Sequence, residues 1–340
     1  MVDRVKFTLP AGLLDTCECL TFQHTVEDTG EQGEWKTAQY NDFEIRVNNC
    51  TGWNEVKGSL HKQWSGTHNG GAFPRWAVGQ AVDDLALALG FDPSQAVLHG
   101  LEFGANVLMP TPAKELLRRA ILSSKKGGRP KPLNTKYSEQ GLMREVVAQQ
   151  YFGKLYDKEE QLTAAGYSAP GTHLMRVEVK VRKMQLLDKA GVRTLADLTK
   201  PAALATMGEL LSEHLNSILF AVPGELPPTL RTSQRKLLRD GATVGYWEGL
   251  AKQPQQRVQV KRYRELTAQH VYDVALDAAT QGLRSVWQQL LNEPVPSLAV
   301  GVVPEVTSAQ INPLSRGISK AQEEEKATAL PRRAEGLLVV

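Results

Sequence analysis

The chain has 340 residues, 41% of them hydrophobic, enough for two modest domains with packed cores. No run reaches the roughly 20 apolar residues of a membrane-spanning helix, and the opening MVDRVKFTLP carries charges where a secretory leader needs an apolar stretch. The net charge of +3 is small but uneven: from Lys114 to Lys136 eight Lys or Arg face one acid, Glu115, while the first sixty residues lean acidic. Such asymmetry fits a polyanion on one surface or a solvated basic loop.

In chain order, Val2 to Leu9 alternates as a strand. Short strand-like runs follow at Thr21–Thr25, Thr37–Tyr40, Phe43–Val47 and Val56–His61, separated by turn residues, which predicts an antiparallel meander. Cys17, Cys19 and Cys50 are too few for a disulfide framework, and Cys17-x-Cys19 lacks the second pair of a zinc site. A reduced, cytoplasmic setting without membrane contact is expected. Pro74 to Leu89 has helical spacing and Gly90 stands where a C-cap glycine belongs. A strand over Ala96–Leu108, a helix over Ala113–Leu122 and a basic loop with Lys125, Lys126 and Arg129 come next. Strands are predicted again at Val146–Tyr156 and His173–Arg182. Helices are then predicted at Met184–Ala190, Leu195–Leu198, Ala202–Phe220, Thr232–Asp240, Val244–Ala251 and Arg257–Leu276. Gly224 to Pro228 reads as a hinge. The expected domains are 1–222, a helical region 223–291, and a tail 292–340 whose composition suits disorder.

Strand alternation places Val97, His99, Leu101, Phe103, Ala105 and Val107 on a core face. Glu102 then stands on the other face, flanked by Gly100 and Gly104, glycines that mark close approach of a ligand or backbone. Glu102 is either a functional carboxylate or an exposed strand glutamate. His99, on the apolar face, reads as a hydrogen-bonded core histidine. In Leu174–Arg182 the apolar Met175, Val177, Val179 and Val181 alternate with Arg176, Glu178, Lys180 and Arg182. Glu178 is an ion-paired glutamate or a second metal carboxylate on a DNA-facing surface. Tyr156 lies between Lys154 and Lys158 and beside Asp157. The cations favour a phenolate and attract a phosphate, which suits a nucleophile, although a rim tyrosine with snorkelling lysines has the same pattern.

Four segments in order resemble the rolling-circle replication initiators of phages and plasmids: Lys57-Gly58-Ser59-Leu60-His61-Lys62, Leu101-Glu102-Phe103-Gly104-Ala105-Asn106, Leu155-Tyr156-Asp157-Lys158 and Arg176-Val177-Glu178-Val179-Lys180. The likeness runs from about Val56 to Phe220, and Asp240-Gly241-Ala242 with Tyr246-Trp247 is similar to the same branch. The resemblance implies an α+β fold with a central antiparallel sheet of about five strands related to the HUH endonucleases, followed by a helical C-terminal region. It implies nicking of single-stranded or cruciform origin DNA through a covalent tyrosine link, with Mg²⁺ or Mn²⁺ and with host helicase and polymerase as partners. By the same resemblance Tyr156 is the nucleophile, Lys158 a phosphate contact, and Glu102, Asp157 and Glu178 metal ligands. Lys125, Lys126, Arg129, Lys154, Arg176 and Lys180 are expected to contact DNA. The wider HUH group carries two histidines around one hydrophobic residue, and this chain has no such triplet. The implied metal site is therefore rich in carboxylates, with His61 as a further donor. Tyr151 is a rival nucleophile. Competing readings are a DNA-binding protein without catalysis, built on a helix-turn-helix at Thr232–Ala251 with Gln234, Arg235, Lys236 and Arg239, and a virion or scaffold protein.

Overall fold

In a computed structural model, residues 1–26, 32–124, 130–138, 141–167, 171, 173–251 and 253–296 are described. Lys125, Lys126, Arg129 and the expected tail beyond residue 296 lie outside them. The strands are β1 Val2–Thr8, β2 Gln23–Val26, β3 Gln32–Tyr40, β4 Phe43–Asn48, β5 Asn54–Ser59, β6 Val97–Leu108, β7 Ala120–Ser123, β8 Lys131–Pro132, β9 Asn134–Ser138, β10 Gly141–Val147, β11 Tyr151–Asp157, β12 Leu174–Val181 and β13 Ile218–Phe220. The helices are α1 Leu60–Ser65, α2 Arg75–Leu89, α3 Ala113–Arg119, α4 Lys158–Ala164, α5 Pro201–Ser217, α6 Thr232–Asp240, α7 Val244–Gly249, α8 Gln255–His270 and α9 Val274–Asn292.

Ten strands form one antiparallel sheet, ordered β2-β3-β4-β5-β1-β6-β12-β11-β10-β9, so the α+β class holds but the sheet is twice the expected five strands. The N-terminal meander adds its strands to the same sheet because β5 pairs with β1. At the other edge, Val146–Tyr156 is a hairpin rather than one strand: β10 and β11 turn through Ala148, whose N–H donates to the Tyr151 carbonyl at 2.9 Å. Two predicted helices also end early. The buried runs Ala120–Ser123 and Ile218–Phe220 leave α3 and α5 to pair as β7 and β13. The helix predicted over Arg257–Leu276 breaks after His270, and the Asp273 side chain caps α9 by accepting from the Leu276 N–H.

The apolar face of the large sheet packs on α5 and α9, and α2 belongs to the same core cluster. Close packing depends on side chains that are absent. A Cβ on Gly153 of β11 would meet the His214 ring of α5 at 2.3 Å, and one on Gly282 of α9 would meet Val107 of β6 at 2.6 Å. A second cluster joins β7 and β13 to α6, α7 and α8 around Leu238, Trp247 and Tyr263. The region predicted as helical from 223 to 291 is thus shared: α6–α8 build this cluster, while α9 returns to the large sheet. Among the described residues no helix is long and apolar enough to cross a membrane. The three cysteines are free thiols.

The register between β1 and β6 carries two irregularities. Val2 pairs with Phe103 but Arg4 pairs with Glu102, so Asp3 is an extra residue in β1. Lys6 pairs with Gly100 but Phe7 pairs with Leu98, so His99 is an extra residue in β6. A bulge of this kind re-aims side chains. Here it overturns the predicted core face at its start: Leu98 is buried, whereas Val97 and His99 are exposed. His99 is hydrogen-bonded, to the Thr8 hydroxyl at 2.9 Å, but at the surface.

Candidate active site

The outer face of the central strands opens into a cavity of about 390 Å³. Each central strand supplies part of its wall. The β1 bulge turns Asp3 out of the core to stand beside Glu102 of β6. β12 brings Glu178, held by Arg176 of the same strand, and β11 brings Lys154 and Tyr156, whose register partners are Glu178 and Arg176 respectively. β6 and β12 lie close because Gly104 faces Glu178: a Cβ there would meet the Val177 carbonyl oxygen at 2.6 Å. The close approach signalled by that glycine is therefore by the neighbouring backbone.

Arg176 organises the site. Its Nη2 donates to Asp3 Oδ2 at 3.0 Å, its Nε to Glu178 Oε2 at 3.0 Å and its Nη1 to Asn106 Oδ1 at 3.1 Å. Asp3 also accepts from the Ser59 hydroxyl at 2.7 Å and from the Asn69 amide. Lys154 Nζ donates to Glu178 Oε1 at 2.6 Å and to Glu102 Oε2 at 3.4 Å. The Tyr156 hydroxyl donates to Glu178 Oε2 at 3.2 Å. Lys158, the first residue of α4, donates to the Asn69 and Gln161 amide oxygens at 2.6 and 2.7 Å.

The charges are unequally compensated. Burial alone would raise the carboxyl pKa of Asp3 and Glu178. Arg176, with Ser59 and Asn69 hydrogen bonds at Asp3 and Lys154 at Glu178, outweighs it and holds both below the usual range. Among the described residues, the cation paired with Glu102 is the more distant Lys154, at 3.4 Å. Burial and the Glu178 charge push the Glu102 carboxyl up to about 7, so it holds a proton near neutrality. Burial, then Glu178, raises the Tyr156 phenol well above 10. Oxygens of Asp3, Glu102 and Glu178 lie within 4.8 Å of one another, the donor type that Mg²⁺ and Mn²⁺ prefer. The proton lodged on Glu102 marks the charge such an ion would replace.

Of the residues singled out from sequence, the fold brings Glu102, Lys154, Tyr156, Lys158 and Glu178 to one cavity. Asp157 is turned away, because successive strand residues face opposite sides. Its carboxylate caps α4 by accepting from the Glu160 N–H at 3.0 Å, so the structure gives it a capping role in place of the expected ligand role. Arg176, expected to contact DNA, is 2% exposed and its guanidinium is engaged by Asp3, Glu178 and Asn106. Lys180 is exposed on β12, two residues from Glu178, outside the cavity wall. Tyr151 is buried on the core face near His214. His61 lies outside this cavity, 2% exposed and stacked on Phe73 at 4.6 Å; among the described residues neither ring nitrogen has a hydrogen-bond partner, and burial pushes its pKa down to about 3. In α6, Gln234 caps the Arg231 N–H and Arg235 binds the Leu230 carbonyl, leaving Lys236 and Arg239 exposed.

Sequence reasoning missed Asp3, Asn69 and Gln161. Asp3 did leave a signal: strict alternation with Val5 and Phe7 would put a carboxylate in the core, and a bulge resolves that conflict. Asn69 and Gln161 carry no such mark. No protein-family model matches this chain, and no curated protein matches it either.

Proposed function

We propose that this chain is a replication initiator that nicks one DNA strand at an origin, with Tyr156 as nucleophile and a 5′-phosphotyrosyl link as the intermediate. The observation that carries this reading is the Tyr156 hydroxyl, hydrogen-bonded to Glu178 in a cavity that also holds Lys154, Lys158 and three clustered carboxylates. The order of the four sequence segments resembling rolling-circle initiators supports it, and the reading makes the sheet a much enlarged relative of the HUH arrangement. In the reaction the phenol oxygen forms a bond to phosphorus and the bond from phosphorus to the 3′-oxygen breaks. Phosphoryl energy is kept in the tyrosyl link for rejoining, which hydrolysis would discard.

Each protein group has a task. Glu178, whose Oε2 already accepts from the hydroxyl, orients the phenol and receives its proton there. Arg176 holds Asp3 and Glu178 in place. Lys154 and Lys158 add positive charge where the phosphodiester sits. Asp3, Glu102 and Glu178 would hold Mg²⁺ or Mn²⁺, which supplies neutralisation of the phosphoryl oxygens and lowers the phenol pKa. The exposed Lys180, and Lys125, Lys126 and Arg129 of the basic loop, are proposed contacts to the DNA backbone.

The test is an adduct assay with Mn²⁺ and single-stranded oligonucleotides tiled across the replicon. Wild-type protein and Tyr151→Phe should give a denaturation-resistant protein–DNA adduct, and Tyr156→Phe none. An adduct on Tyr156→Phe overturns the nucleophile assignment. Binding without any adduct, lost on changing Lys236 and Arg239, would favour the non-catalytic DNA-binding reading.

A further inference from the structure

Of the lysines that line the cavity, Lys154 and Lys158 are held in different ways. Lys154 is clamped by the Glu178 and Glu102 carboxylates at 2.6 and 3.4 Å. Burial would lower its pKa, but those two charges outweigh it and raise it, so Lys154 keeps its proton. The hydrogen bonds of Lys158 go to two amide oxygens, those of Asn69 and Gln161. An amide oxygen fixes an ammonium without competing for its proton. Asn69 is itself fixed, because its NH₂ donates to Asp3 while its oxygen faces Lys158. Gln161 lies one turn along α4 from Lys158, and Asp157 caps that helix. Lys158 is thus an aimed cation, 1% exposed overall, in the same cavity wall as Tyr156.

We infer that Lys158 is the general acid that protonates the leaving 3′-oxygen, with Asn69 and Gln161 as its positioning residues, an assignment that rests on the nickase reading. As the bond from the Tyr156 oxygen to phosphorus forms, the bond from phosphorus to O3′ breaks. The ammonium N–H electron pair stays on Lys158, and its proton goes to O3′ to give a 3′-hydroxyl and a neutral amine. In rejoining, the same amine removes the proton from the attacking 3′-hydroxyl, as reversibility requires. Burial and the Arg176 charge push Lys158 down to about 8, which suits an acid in one direction and a base in the other.

A bridging-sulfur substrate tests this. Wild-type protein first maps its nick site, and that oligonucleotide is then made with oxygen or sulfur at the 3′ bridging position. A thiolate leaves without protonation. Lys158→Arg keeps a cation but binds its proton too tightly to release it. It should slow cleavage of the oxygen-bridged strand by roughly 100-fold or more, yet cleave the sulfur-bridged strand within a few-fold of wild type. Equal losses on both strands would mean that Lys158 only contacts phosphate, and that result overturns the assignment. So does wild-type speed on the oxygen-bridged strand. Gln161→Leu provides a second arm should Lys158→Arg fail to fold. It should lose rate on the oxygen-bridged strand alone and shift the alkaline limb of the pH–rate profile; an unshifted limb with equal losses rejects it. Absence of cleavage by the wild-type protein overturns the nickase reading and this assignment together, whereas cleavage with equal losses overturns this assignment alone.

Discussion

Arg176 is buried with two carboxylates on its guanidinium, at 3.0 Å each, so its removal strands Asp3 and, among the described cations, leaves Glu178 with Lys154 alone. Breaking a buried pair from one side costs about 3–5 kcal/mol. Arg176→Met should lose that much in denaturant unfolding at pH 7, and less at low pH where Asp3 and Glu178 become protonated in the variant. Glu102 works in the opposite sense. Its ordinary pKa of 4.5 rises to about 7 in the folded chain, so the folded form binds a proton that the unfolded form has released. Its favourable contribution is complete below about pH 4.5 and disappears as pH rises through 7. Without divalent ions, wild-type protein should therefore lose on the order of 3 kcal/mol between pH 5 and pH 8 relative to Glu102→Gln. Mn²⁺ should restore stability to the wild-type protein at pH 8 and do less for the variant. A flat difference between the two proteins across this range would reject the raised Glu102 pKa.

At the scale of elements, α4 begins where β11 ends, and Asp157 serves that junction. Asp157→Ala should cost about 1 kcal/mol through the lost cap and leave Mn²⁺ affinity unchanged in a titration; a large loss of affinity would return Asp157 to the ligand set. Behind the same strand, Gly153→Ala should cost about 1–3 kcal/mol through overpacking, read as a lower Tm, because His214 occupies the space of the new Cβ. These two junctions also show what was legible in the sequence. The alternation of β12 and the spacing of α2 predicted both elements and their faces, because one periodic pattern decides each. The three polar residues Glu102, Tyr156 and Glu178 were legible for the same reason. The β7–β13 pair was not, since short apolar runs suit helix or strand equally and distant pairing decides between them; nor was the β10–β11 hairpin, whose turn at Ala148-Gln149-Gln150 carries no Gly, Pro or Asn to mark it. Asn69 and Gln161 matter only through what the fold sets beside them.

The described molecule has two apolar clusters of unequal size. The smaller, under α6–α8, is tied to the rest through β7, β13 and Arg264, which donates to the Ser124 and Ser217 carbonyls at 2.8 and 2.7 Å. Native-state hydrogen exchange should show α6–α8 opening at lower free energy than β6 and β12. Trp247→Ala should widen that gap while leaving β6 and β12 nearly unchanged; uniform loss of protection would make the two clusters one cooperative unit. Asp3 and His99 behave like two dislocations of opposite sign in a lattice. Each adds one residue, on opposite strands, so the ladder is out of step only between them and returns to its original phase on either side. Deleting both residues should anneal the lattice: Arg4 and Lys6 would still face outward, Val5 and Phe7 inward, and the sheet would close without its third carboxylate. Evolution could therefore write or erase this part of the site by a matched pair of one-residue edits, leaving the rest of the sheet to fold as before.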